Sequence, residues 1–149
     1  MSTTYVPLIS SGVAGPLGVL HLPRLWQKAS LEAAGKLAAG YSGIGQGYDS
    51  MVLNALGVNV DEVKKFLAEV KPTYPQFEAW IKRQPGVNLT RANIHALNLS
   101  IAGYQHKDEA RKGILTANNL PDDGSILGDA INLNNLDDWY EFHQAVLKA

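Results

Sequence analysis

Six residues, His21-Leu22-Pro23-Arg24-Leu25-Trp26, set an imidazole, a guanidinium and an indole around a proline suited to a first helical turn. Histidine is the side chain whose ordinary pKa lies closest to neutrality, so His21 is a candidate proton-transfer group. A guanidinium near a helix N-terminus opposes the helix dipole, which means that Arg24 requires a carboxylate or an anionic ligand. Asp138, or its neighbour Asp137, is the carboxylate expected to meet it. Asp49, after the glycine-rich stretch Gly40–Gly47, joins His21 as a second candidate for acid–base work. Tyr48 and Trp80 supply flat walls for a pocket. Asn98 falls at the edge of an apolar helix face, where an amide must find partners, either holding two helices in register or reaching into a pocket.

Other chemistries are excluded by spacing. Gly43-Ile44-Gly45-Gln46-Gly47 lacks both the dinucleotide-binding spacing and the Gly-Lys-Ser/Thr ending of a phosphate loop. Asp49 also puts a carboxylate where an anion would otherwise sit. Asp137 and Asp138 are adjacent, so on a helix they point about 100° apart and cannot share a substrate as paired catalytic acids do. Placement in a first helical turn accounts for both. His143 reads as a core histidine, His95 lies off the buried face, and His106 beside Lys107-Asp108-Glu109 reads as solvated. No two histidines have ligand spacing, so neither a metal nor a cofactor is expected. Asn88-Leu89-Thr90 and Asn98-Leu99-Ser100 match the glycosylation triplet by chance.

The 149 residues are enough for one domain that buries its own core, with 46% hydrophobic and 18% charged residues. A net charge of −1 provides no field for nucleic acid or an anionic membrane. The absence of cysteine rules out disulfides and fits a reducing cytoplasm. The first 22 residues have no basic leader and are broken by proline and glycine, so neither a signal peptide nor a membrane anchor is expected.

These groups must be positioned by helices. Residues 1–21 read as an irregular, largely buried arm, and residues 22–149 as a single helical domain. Leu22, Leu25, Trp26, Ala29 and Ala33 form one apolar stripe on a helix expected to run to Gly40. Asn59 with Glu62 and Thr73 with Gln76 are capping-box pairs, and Thr90 caps a further helix bearing Ile94, Leu97, Ile101 and Tyr104. The last helix is expected to start at Asn134 or Asn135, with Leu136, Trp139, Tyr140, His143, Val146 and Leu147 on its buried stripe. The fold class is therefore all-α, a compact single-domain bundle of six to eight short helices.

The series His21-Leu22-Pro23-Arg24, Tyr48-Asp49 with Leu53 and Leu56-Gly57, Trp80-Ile81 and Asn98 resembles a family of bacterial domains of unknown function that begin with a Leu-Pro-Arg helix. It differs from that pattern at Leu97, where a tryptophan is expected, and at the Asp-Asp-Trp of its last helix. The resemblance implies a small helical fold and no particular activity. The functional expectation is a cytoplasmic protein that binds or acts on a small anionic metabolite between the first helix, the glycine loop and the last two helices. The alternative is a non-catalytic homodimer joined through the apolar arm.

Overall fold

The computed structural model describes residues 3–148, and among them the chain is all-α. Seven helices follow in order: α1 (Leu22–Ala33), α2 (Tyr48–Leu56), α3 (Val60–Val70), α4 (Tyr74–Lys82), α5 (Arg91–Gly103), α6 (Asp108–Ala117) and α7 (Ala130–Phe142). A short π-helical turn, His143–Leu147, extends α7. None of the helices is long and apolar enough to cross a membrane.

Local chemistry sets most of the boundaries. Asn59 accepts the Glu62 amide at 3.0 Å, Thr73 and Gln76 close a reciprocal capping box, and Thr90 accepts the Asn93 amide at 3.3 Å. Each such cap contributes about 1 kcal/mol. The α1 helix packs against α2, α3 and α4, and α2 lies on α5. Leu22, Leu25, Val52, Leu53, Phe77 and Ile81 are wholly buried between them. Truncating one of these leucines to alanine costs about 2–5 kcal/mol.

Two helix ends differ from expectation. The first helix stops at Ala33, seven residues before Gly40, because Gly35 at φ +69° offers an earlier left-handed turn. The freed segment pairs with the arm instead: Tyr5 donates to Lys36 O at 2.7 Å, and Ala38 donates to Tyr5 O at 3.0 Å. The last helix begins at Ala130, where Asp129 caps the Asn132 amide at 3.1 Å. Asp137 and Asp138 therefore sit in its second half, and helix-dipole placement does not explain them. The expected apolar stripe also fails, since Trp139, Val146 and Leu147 are each more than half exposed and His143 is exposed. Ala130, Leu133 and Asp138 face inward instead.

The arm is irregular, as expected, but it lies on the surface rather than within the core. Among its described residues only Pro7, Ser11, Val19 and His21 are buried. An irregular segment has no ladder for its backbone groups, so side chains of the helices must serve them. Gln27 accepts the Ile9 amide, Glu78 accepts the Leu17 amide, and Asn98 grips Leu20 N and Gly18 O at 3.0 and 2.7 Å.

Candidate functional site

His21 caps α1 in the left-handed region, φ +71°, a conformation that costs a non-glycine residue about 1 kcal/mol or more. Two buried hydrogen bonds hold it there. Its Nδ1 lies 2.9 Å from Ser11 Oγ, and its Nε2 lies 2.6 Å from Asp49 Oδ1. Burial, the largest influence, lowers the imidazole pKa, with the Asp49 bond opposing. The ring is thus neutral, donating from Nε2 to Asp49 and accepting at Nδ1 from the serine hydroxyl.

Asp49 occupies the first turn of α2. Its Oδ2 accepts from Lys28 Nζ at 2.6 Å and from the Gly45 amide at 2.8 Å. Burial alone raises its pKa, but the His21 bond and the Lys28 ammonium together hold it below the ordinary carboxylate value. The glycine loop therefore turns an amide toward the protein's own carboxylate, not toward an external phosphate.

One turn along α1 from His21, Arg24 grips Asp138 of α7 in a bidentate pair. Nη1 meets Oδ2 at 2.6 Å and Nη2 meets Oδ1 at 3.0 Å, with side chains 7% and 3% exposed. Nη1 also donates to Ile9 O at 2.9 Å and, at 3.3 Å, to Pro7 O, and the Tyr41 hydroxyl donates to Asp138 Oδ1 at 2.9 Å. Burial pushes Asp138 up while the guanidinium and phenol oppose it. Burial and the adjoining Asp138 likewise raise Tyr41, which stays a donor.

His21, Arg24 and Lys28 recur at three- and four-residue steps, so all three edge one face of α1. Before that face lies a cavity of about 300 Å³. The loop at Gly40–Ser42 and Gln46–Gly47, the start of α2 at Tyr48 and Asp49, the Tyr104–His106 link and α7 complete its wall. From α7 come Ala130, Asn134, Asp137 and Asp138, whereas α6 contributes nothing.

Of the residues singled out from sequence, His21, Arg24, Tyr48, Asp49 and Asp138 all line this cavity. Trp80 does not. It stacks on Phe66 with ring centres 4.7 Å apart and on Phe77 at 6.3 Å, filling the gap between α3 and α4. Asn98 is also elsewhere, spent on holding the end of the arm against α5. Lys28, Tyr41, Tyr104, His106 and Asn134 are cavity residues that sequence reasoning passed over. His106, expected in solvent, is half-buried with Nε2 2.7 Å from Asn134 Oδ1. The readable signal for Lys28 was its seven-residue step from His21, which puts it on the same helix face as His21 and Arg24.

The arrangement limits the chemistry. Ser11, His21 and Asp49 form a serine–histidine–aspartate chain, but Ser11 is fully buried and lies behind the ring, outside the cavity. It cannot attack a ligand. Both nitrogens of His21 are occupied, so the histidine positions Asp49 rather than meeting a substrate. Asp137 is different: among the described residues it is half-buried, faces the cavity and has no hydrogen-bond or ion-pair partner. Burial, then Asp138 and Glu141, raise its pKa, against Arg24 and His106. No cluster of three or more metal-binding side chains occurs among the described residues.

Comparison with protein-family models, with curated proteins and with solved structures returns no match.

Proposed function

We propose that this protein binds a small polar metabolite in the cavity between α1, the glycine loop and α7, and exchanges a proton with it through Asp137. One observation carries the reading. Every other charged group on the wall is matched inside the protein, whereas Asp137 keeps its lone pairs for something else. A raised carboxylate pKa brings the group nearer to the range in which general acids and bases work. Arg24 supports the site differently from the anion anchor expected of it, because both of its terminal nitrogens already face Asp138. His21 and Asp49 hold Lys28, the glycine loop and the start of α2 in place around the cavity. The volume, at the lower end for ligand sites, fits a metabolite rather than a polymer.

The test is a metabolite library screened by thermal shift, with two-dimensional amide NMR to locate each response. A binder should move the amides of Tyr104, Asn134 and Asp137, and Asp137→Asn should abolish or weaken its effect. If no compound perturbs those amides, or if Asp137→Asn responds as the wild type does, the reading fails. A cytoplasmic setting belongs to the same proposal and rests on the cysteine-free composition.

A second reading, a homodimer joined through the arm, draws on Tyr5, Leu8 and Val13, which are 51%, 47% and 46% exposed. Light-scattering mass across a concentration series tests it. A dimer that Leu8→Ser with Val13→Ser converts to monomer supports it, and a monomer throughout removes it.

A further inference from the structure

Resting on the metabolite-site reading, we propose that the ligand class of the cavity is a small organic ammonium ion, its cationic head at Asp137 among the rings of Tyr41, Tyr48 and Tyr104. Two cations, Arg24 and Lys28, face three carboxylates on this wall: Asp49, Asp137 and Asp138. Lys28 is spent on Asp49 and Arg24 on Asp138, which leaves one carboxylate charge uncompensated. The groups bearing on Asp137 are Asp138 and Glu141 on its own helix, Arg24 from α1, and His106 from the link before α6. Arg24 is already neutralised and His106 bonds Asn134, so neither supplies the missing positive charge.

Aromatic walls are the second, independent observation. Three tyrosines line the cavity, and the rings of Tyr48 and Tyr104 stand 5.5 Å apart, tilted by 57°. The hydroxyl of Tyr41 is tied to Asp138 and that of Tyr48 to Ile101 O at 2.6 Å. These bonds fix both rings on the wall; Tyr48, packed on His21 at 5.2 Å, is nearly buried, so the half-buried Tyr41 and Tyr104 offer most of the accessible ring surface. Cations are drawn to such ring faces, and a carboxylate within an aromatic surround is the combination that selects an ammonium over a neutral or anionic group. An incoming anion meets the opposite: its only cationic partners are already neutralised, and Asp137 repels it.

The probes are three isosteres, n-butylammonium, n-butanol and butyrate, titrated into the full chain and followed by amide NMR. Butylammonium should move the amides of Tyr104, Asn134 and Asp137. Its affinity should rise up to tenfold per pH unit while Asp137 loses its proton, then level off. Asp137→Asn, with its fold checked by the same spectrum, should weaken it about tenfold or more. Butyrate should not bind. If butanol or butyrate binds the cavity as well as butylammonium does, or if Asp137→Asn leaves butylammonium unaffected, the ammonium assignment is wrong. Should none of the three perturb the cavity amides, it is also wrong, while the broader reading then stands or falls on the library screen.

Discussion

Arg24→Ala is the perturbation most sharply determined by the structure. It removes the cation from a carboxylate only 3% exposed, leaving Asp138 with the Tyr41 hydroxyl alone, and it strips a donor from the Ile9 and Pro7 carbonyls. Breaking a buried ion pair from one side costs about 3–5 kcal/mol, because the stranded charge keeps its desolvation penalty. For a domain of this size each kcal/mol moves Tm by about 2–4 °C, so a loss of roughly 6–20 °C is expected. Urea unfolding should show a lower midpoint with little change in slope. Arg24→Met with Asp138→Leu should recover most of that loss, since removing both charges also removes the penalty. Limited proteolysis adds a local readout: with its carbonyls released, the arm between Tyr5 and Ile9 should be cut faster in Arg24→Ala than in the wild type. An Arg24→Ala protein within about 1 kcal/mol of wild type would refute the reasoning, for it would mean that water already screens the pair.

Asp137→Asn should stabilise the protein at neutral pH. The folded pKa of Asp137 lies above its unfolded value of 3.8, so the native state holds the extra proton between the two. Wild-type stability therefore falls as pH rises through that window. The advantage of the asparagine variant should be near zero below pH 3.8 and full above the raised value. A constant difference across pH would show that ionisation is not the cause. His21→Ala should cost about 3 kcal/mol, because Ser11 Oγ and Asp49 Oδ1 lose a buried partner and alanine disfavours φ +71°. The wild type should also lose stability as pH drops below 6.5, the unfolded imidazole value, since its folded pKa is lower. Acid titration of His21→Ala should lack that histidine-dependent loss.

Caps, turns and amphipathic stripes are local, and so the starts of α3, α4 and α5 could be read from Asn59, Thr73 and Thr90 alone. The start of α7 could not, although Asp129 three residues before Asn132 is a capping signal. Asn132, Asn134 and Asn135 are weak helix formers, and they obscured the periodicity. That single error hid the meaning of Asp137 and Asp138, because a first-turn aspartate needs no partner and a buried one in the second half of a helix does. Residue type likewise identified Trp80 as a wall without saying which wall. The convergence itself spans 28 residues between His21 and Asp49 and 114 between Arg24 and Asp138, distances over which no periodicity carries information.

The pairing pattern separates scaffold from site. Each cation on the inner face of α1 takes one carboxylate from another element, and each of those carboxylates or cations also grips an irregular segment: Gly45 through Asp49, the arm through Arg24, Tyr41 through Asp138. Loops without regular secondary structure are thereby fixed around a cavity by charges that cancel. After that cancellation Asp137 remains. Its burial opposes folding at neutral pH, and no bond within the described protein offsets it. A chain shaped by stability alone is better served by asparagine at that position, with the same volume and no charge to desolvate. Stability alone does not account for the aspartate, and on the proposed reading its missing partner is the ligand of the cavity.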